Sequence, residues 1–364
     1  MNIVIYRLSV LLLCIALLIA LGCGSDSEDD DTVISGPTEF FSSVPKNGST
    51  LHPDDTISVL FTEIPENLTV APGTISEMQN RVITISGPLP LGDISIELTW
   101  ADDTKTLEYT IAPEGMVMVR EGEFQMGSNS DTASDDEKPV HTVFIDTFFM
   151  DTHEVTVGEY KRFVEEMGHR ELEWEEIVPY APTDEHPIVF VSWHDAMAFA
   201  TWAGKRLPTE AEWEKAARGG MIAKTYPWGN LTPNGKQCNF ADKNLAHYWW
   251  ADQKADDGYT FTAPVGNYPE NNYGLFDMAG NVWEWCLDEY DAGFYAVSEG
   301  VNPISGANTP QEISKGFENV ESIRVLRGGS WIVTSVNVRN STRFMLMPES
   351  TNYSVGFRCV MDLP

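Results

Sequence analysis

The feature that most constrains this chain is an abrupt change of texture between residues 113 and 116. Before it, Thr56–Phe61, Val82–Ser86, Asp93–Trp100 and Lys105–Ile111 are short runs rich in Val, Ile, Thr, Tyr and Trp, separated by Pro, Gly and Asp, the spacing of a β-sandwich. Ile94, Ile96 and Leu98 alternate with Ser95, Glu97 and Thr99, which predicts one buried and one wet face. After the break the runs give way to capping boxes, then to loops dense in Trp, Asn and Gly. A single regular sheet or helical bundle cannot have both textures. The reading is therefore an α+β chain with a small all-β domain at 36–113 and a loop-rich domain at 114–364, and 364 residues suffice for two cores.

The first residues have the make-up of an export signal. Arg7 precedes an apolar run from Ser9 to Leu21, too short for the roughly 20 residues that span a bilayer. The run ends in Ala20-Leu21-Gly22-Cys23, which resembles the lipobox of bacterial lipoproteins. On that likeness residues 1–22 are a lipoprotein signal peptide and Cys23 is the lipid anchor; ordinary secretory cleavage is the competing reading. Five of the six residues from Asp26 to Asp31 are acidic, so 23–35 reads as a solvated tether. The expected location is a bacterial cell envelope, with the membrane reached through the lipid. Gly24, where an Asp would signal inner-membrane retention, favours the outer membrane or cell surface. The 36–113 domain loosely resembles bacterial Ig-like domains through Pro45-Lys46-Asn47-Gly48, and serves as a spacer.

Charge and cysteine content narrow the partners. A formal net charge of -32 excludes nucleic acid, whose binding needs clustered Lys and Arg, and suits hard cations with oxygen ligands. Of five cysteines, Cys14 leaves with the signal and Cys23 would carry lipid. Cys238, Cys286 and Cys359 remain, enough for at most one internal pair in an oxidising compartment. None has zinc-site spacing.

Three helices can be placed by their caps. Thr156-x-x-Glu159 is a capping box followed by Val157, Tyr160, Phe163, Val164 and Met167 on one stripe. Ser192 opens a helix ending at Gly204, with Ala196, Phe199 and Ala200 inward and His194 and Asp195 as first-turn polar residues. Thr209-x-x-Glu212 opens a third helix that stops at Gly219-Gly220. These helices are embedded in long strings: Gly204-Lys-Arg-Leu-Pro-Thr-Glu-Ala-Glu-Trp-Glu214, Tyr226-Pro-Trp-Gly-Asn230, Asn272-Tyr-Gly-Leu-Phe-Asp-Met-Ala-Gly-Asn-Val-Trp-Glu-Trp285, Arg327-Gly-Gly-Ser-Trp331 and Gly356-Phe-Arg358. Together, over about 116–364, they resemble the formylglycine-generating enzyme, or sulfatase-modifying factor, family. The resemblance implies a C-type-lectin-like, loop-rich α+β fold in which Trp213, Trp283, Trp285 and Phe357 are core aromatics.

Activity has to be argued at the site. The family oxidase holds Cu(I) on two cysteines, two and seven residues after the aromatic of Gly-Gly-Ser-aromatic, and soft thiolates are what Cu(I) selects. Here those positions are Val333 and Val338, so no copper and no formylglycine-forming activity are expected. Relatives that are iron-dependent sulfoxide synthases carry a His-x3-His-x-Glu motif that this chain lacks. His169 reads as a surface histidine, and His141 and His153 as structural ones. The resemblance also implies two calcium sites. One maps onto Asn239, backbone Phe240, Asp257 and backbone Tyr259. The other maps onto Asp277, backbone Gly280, backbone Val282 and Glu284.

The resulting expectation is a membrane-anchored ligand-binding or envelope-assembly protein whose partner is a protein, peptide or glycan. The alternative is an oxidative enzyme of the same family that modifies a protein or metabolite through a different residue set. The ligand groove would follow the Gly-Gly-Ser-Trp motif, with Asn337, Asn340, Thr334 and Thr342 supplying hydrogen bonds and Trp331 and Phe344 apolar contact. The competing reading of the Val336/Val338 alternation is a buried strand. Arg339 and Arg343 are left out as structural ion-pair partners.

Overall fold

Residues 38–364, apart from Asp102 and Ala246, are described by a computed structural model; the expected signal peptide, Cys23 and the tether lie outside the described residues. The first unit contains β1 (Phe40–Val44), β2 (Thr50–Leu51), β3 (Ile57–Phe61), β4 (Thr69–Ala71), β5 (Thr74–Gln79), β6 (Val82–Ser86), β7 (Gly92–Trp100) and β8 (Asp103–Ile111). They make two four-stranded sheets, β1-β3-β6-β5 and β2-β8-β7-β4. Ile57, Val59, Phe61, Ile83 and Ile85 from one sheet meet Ile94, Ile96, Leu98, Trp100, Leu107 and Ile111 from the other in a single core. Each such aliphatic side chain contributes about 1.5–3 kcal/mol by leaving water. The alternation along β7 holds, with Ile94, Ile96 and Leu98 buried and Ser95 and Glu97 exposed. The polar run of β5 is mostly exposed and carries no alternation by which to foresee it.

A small apolar contact joins the two units. Ala112, Met116 and Phe149 are buried together, with Leu91 and Met361 packed against them, and Arg120 reaches Asp93 at 2.7 Å.

The second unit contains β9 (Met116–Val119), β10 (Gly122–Met126), β11 (His141–Ile145), β12 (Phe148–Asp151), α1 (Val157–Met167), α2 (Trp174–Ile177), α3 (Trp193–Trp202), α4 (Glu210–Arg218), β13 (Trp283–Glu289), α5 (Pro310–Lys315), β14 (Arg324–Arg327), β15 (Arg343–Leu346), β16 (Val355–Gly356) and β17 (Val360–Asp362). Its sheets are β10-β11, β17-β12-β9 and β15-β14-β13-β16. The boxes at Thr156, Ser192 and Thr209 each close both arms. Met167 departs from its expected inward stripe and is exposed, because Gly168 turns into the left-handed region at φ 63° and ends the helix at the surface. Helix α4 is buried along its whole length, charged residues included. Among the described residues, 219–282 hold no strand and no α-helix, and no helix is long and apolar enough to cross a membrane.

Three details differ from the sequence reading. The segment after Trp331 is a 3-10 turn at Ser335–Asn337 rather than a buried strand, with Val336 exposed and Val338 buried. His169 is half-buried: its Nε2 lies 2.9 Å from Asp195 Oδ1 and its ring 4.8 Å from Phe163. Among the described residues no cysteine pair forms, because Cys238, Cys286 and Cys359 are each buried in a different apolar cluster.

Candidate functional site

The turn after Gly328-Gly329-Ser330-Trp331 lies close against its own backbone. Gly329 has φ +80°, and a Cβ there would lie 2.6 Å from the Asn337 carbonyl oxygen, so only glycine fits. Val338 is buried among Tyr226, Cys238, Phe240, Ala255 and Ala279, and Val333 packs on the same cluster. At the positions where the resemblance expects metal-binding thiols, the chain therefore has an apolar plug, with Val338 buried and Val333 half-buried. The nearest sulfur in that cluster is Cys238, whose thiol burial pushes well up, away from the nucleophilic thiolate.

The six expected groove residues do not form one wall. Trp331 is buried against Phe261, Tyr353 and Tyr180 at ring distances of 5.0, 5.6 and 6.0 Å. Asn340 is buried, its Nδ2 donating to Lys224 O at 3.2 Å and its Oδ1 left without a partner. Thr342 is buried with Oγ1 unpartnered. Thr334 is half-buried and Asn337 exposed. Phe344 belongs to β15, where its ring stacks on Trp283 at 5.2 Å.

Beside Trp331 the fold assembles an aromatic face that no sequence periodicity announces. Tyr180 and Tyr353 stack at 5.1 Å with an interplanar angle of 14°, and Phe190 lies 5.7 Å from Tyr180. Phe190 holds φ +60°, a costly conformation for a bulky residue that tends to persist at functional surfaces. Leu245 and Ala251 join the Trp331 cluster. The loop between them presents Tyr248, Trp249 and Trp250, with Trp249 91% exposed. The only signal in the sequence was the aromatic density of the long loops.

The expected calcium ligands fall in two neighbouring nests. In the first, Asp257 accepts the N–H groups of Phe240 at 3.0 Å and Tyr259 at 2.9 Å, and Asn239 Oδ1 is buried with no partner. Burial, with the nearby Asp242 carboxylate adding to it, pushes Asp257 up to about 7 against two stabilising N–H bonds. In the second, Asp277 sits at φ +56° on the wall of a cavity of about 100 Å³. Its Oδ2 accepts the Gly266 N–H at 2.6 Å, while Oδ1 is buried and unpartnered. Burial carries it to about 6.

Glu284 behaves differently. Arg358 holds both of its oxygens, at 2.7 and 2.8 Å, and Trp213 Nε1 donates to it at 2.7 Å. A second carboxylate with a free oxygen in this nest, besides Asp277, is Glu154, which the sequence reading missed. It is fully buried, its Oε1 accepts from Asn281 at 3.0 Å, and its Oε2 has no partner. Burial, then Asp277, raises it well above the usual carboxylate range. Among the described residues no three His, Cys, Asp or Glu side chains converge as a metal cluster. A cation here would have to combine one or two carboxylates with amide and backbone oxygens, a mixture that suits calcium. The unpartnered oxygens of Asn239, Asp277 and Glu154 fit that requirement.

Comparison with known proteins gives this geometry a context. The Sulfatase-modifying factor enzyme 1-like domain matches residues 102–363. A formylglycine-generating enzyme of Thermomonospora curvata is 36% identical over 68% of this chain and 94% of its own length. An inactive C-alpha-formylglycine-generating enzyme 2 of Bos taurus is 33% identical over 67% and 87%. Among solved structures, PvdO from Pseudomonas aeruginosa superposes with a TM-score of 0.55 at 25% identity, covering 68% of this chain and 94% of that one.

Proposed function

This chain belongs to the sulfatase-modifying factor enzyme 1-like domain family, and on that premise we propose that it is a lipid-anchored, calcium-stabilised binding or assembly protein of a bacterial cell envelope rather than a formylglycine oxidase. The observation that carries the reading is the apolar packing of Val333 and Val338 on one cluster. Valine neither ligates Cu(I) nor supplies an oxidisable sulfur, and the three described thiols are buried and apart.

The aromatic face of Tyr180, Phe190, Phe261 and Tyr353, with the exposed Tyr248-Trp249-Trp250 loop beside it, supplies what a binding surface needs in its place. Aromatic rings offer large contact area at low entropic cost. Thr334 and Asn337 lie on the neighbouring turn as hydrogen-bonding groups, while Trp331, Asn340 and Thr342 shape the site from within. The ligand is a protein, peptide or glycan. Calcium at the Asn239–Asp257 and Asp277–Glu154 nests would set the loops that carry this face. Cys23 provides the lipid, the following acidic stretch the tether, and the Ig-like sandwich the spacer; fatty-acid labelling that survives Cys23→Ala would remove the anchor.

The decisive experiment offers a Cys-x-Pro-x-Arg peptide to the purified protein with copper and a reductant, and looks for the aldehyde by mass spectrometry. No product is expected. Its detection would overturn the binding reading in favour of an oxidative enzyme with a rearranged site, the alternative that 36% identity to a formylglycine-generating enzyme keeps in view.

A further inference from the structure

Strand β15 is the outer strand of its sheet, paired to β14 on one side only. The pairing runs without a shift from Arg324↔Leu346 to Arg327↔Arg343. Among the described residues, no turn, side chain or other strand takes the outward backbone groups of β15, which belong to alternate residues because those between them face β14. Natural sheets blunt such an edge with Lys, Pro, a bulge or a covering loop. Here the strand reads Arg-Phe-Met-Leu with no bulge and no Lys; Met347 follows, and the first proline, Pro348, lies beyond the paired residues, where its carbonyl accepts the Trp193 N–H and the chain turns away.

The side chains agree with an open edge. Phe344, Met345 and Met347 are 45%, 41% and 40% exposed. Successive residues of a strand face opposite sides; Phe344, though stacked on Trp283, and Met345 on the other face each keep part of their surface open, while Leu346 and Arg343 pack inward. Ile323, at the adjoining end of β14, extends the apolar patch. Methionines on such a patch can repack around different partners.

The rim sets the charge of what fits. Glu318 and Glu321 precede β14 and Glu349 follows β15; all three are exposed and have no ion-pair or hydrogen-bond partner among the described residues. A second copy would bring the same carboxylates, and another formal charge of -32, against this edge, which like-charge repulsion opposes.

We propose that β15 is a docking edge for an extended segment of another protein in which apolar residues alternate with Lys or Arg, added as a further strand of the sheet. Main-chain hydrogen bonds would supply affinity and the apolar and acidic rows would supply register and selection. The test of this edge does not depend on the reading of the aromatic face.

The probe is a short synthetic peptide alternating Val and Lys, measured by fluorescence anisotropy against the full chain and by amide hydrogen exchange. Binding is expected, together with slowed exchange at the outward-facing amides of β15. The same peptide with alternate amides N-methylated should bind about tenfold more weakly, as should the unmodified peptide to Met345→Lys. Glu321→Lys, outside the sheet, should also weaken it and guards against a Met345 variant that fails to fold. Equal binding of the N-methylated peptide would mean bare charge attraction and overturn the proposal. No binding, or no protection at β15, would do the same, and a sedimenting dimer protected at β15 without peptide would assign the edge to a second copy.

Discussion

Around helix α4 each buried glutamate meets a guanidinium, whereas around residues 239–284 buried carboxylates meet one another. Arg327 reaches Glu210 at 2.6 Å and Glu214 at 2.7 Å. Arg343 closes on Glu210 from the other side at 2.7 Å, and Arg218 on Glu214 at 2.6 Å. Arg339 likewise grips Glu137 at 2.6 and 2.7 Å. Here Glu210 and Glu214 lie below the ordinary carboxylate range, because the guanidiniums outweigh a large burial effect that pushes the other way. In the other region burial comes first on Glu154, Asp257 and Asp277, neighbouring carboxylates add to it, and the charge of Arg358 beside Glu154 and Asp277 does not offset it, so every one is raised. The first lattice is electrically complete and holds the fold. The second has more buried carboxylates than guanidiniums, the surplus that the proposed calcium would answer.

The largest expected effect breaks the complete lattice. Arg327→Met leaves Glu210 and Glu214 each short of a buried partner and should cost about 3–5 kcal/mol in urea unfolding. A loss below about 1 kcal/mol would mean that Arg343 and Arg218 suffice, and that completeness is not what distinguishes the two regions.

Next comes the incomplete region. Chelation should lower the melting temperature, since an ion that binds only the folded state stabilises it by about 2.7 kcal/mol at a hundredfold excess over Kd. Asp257→Ala should remove part of that shift, and Arg327→Met none of it. Metal analysis that finds no calcium, with chelation changing nothing, would sink the cation reading.

What the sequence disclosed follows the same division. Capping boxes and the β7 alternation are local, so Thr156, Ser192, Thr209 and Ile94–Leu98 could be read from neighbours along the chain. The plug at Val333 and Val338 was reachable only through the resemblance to a family motif. The Glu210–Arg327 pair joins residues 117 positions apart, and the Glu154–Asn281 contact joins residues 127 apart. Nothing in spacing announces such partners. Glu154 sits in an ordinary Glu-Val-Thr string, and only its unpartnered oxygen marks it. The aromatic face draws Tyr180 and Phe190 from one loop and Phe261 and Tyr353 from two others, and the openness of β15 is a property of strand order; neither exists before the chain is folded.

Asp288 tests the border of the lattice by pH. Burial first, then the Glu210 charge, push its carboxyl up to about 7, against the N–H groups of Ser305 and Glu210 and the charge of Arg343. Its unfolded value is near 3.8, so between these limits the folded state holds a proton that the unfolded state releases. Stability should therefore fall as pH rises from about 4 to about 7, by at most about 1.4 kcal/mol per pH unit. Asp288→Asn should flatten that slope in thermal melts. A slope unchanged in the variant would move the titration to another group.

The smallest effect draws the boundary between the regions most finely, because Glu284 and Glu154 lie on opposite sides of it. Glu284 is already neutralised by Arg358, so Glu284→Gln should destabilise the protein with or without calcium and leave the chelation shift standing. Glu154 is expected to be protonated when no cation is present, since burial and Asp277 both oppose its charge. A glutamine has nearly the shape of that neutral acid and keeps an oxygen to accept from Asn281. Glu154→Gln should thus change stability in chelator by no more than about 0.5 kcal/mol, yet reduce the calcium-dependent rise in melting temperature, because an amide offers no charge to a divalent ion. If Glu284→Gln abolishes the shift and Glu154→Gln leaves it whole, the ion is held by the arginine-paired carboxylate after all, and the division between complete and incomplete regions has been drawn through the wrong residue.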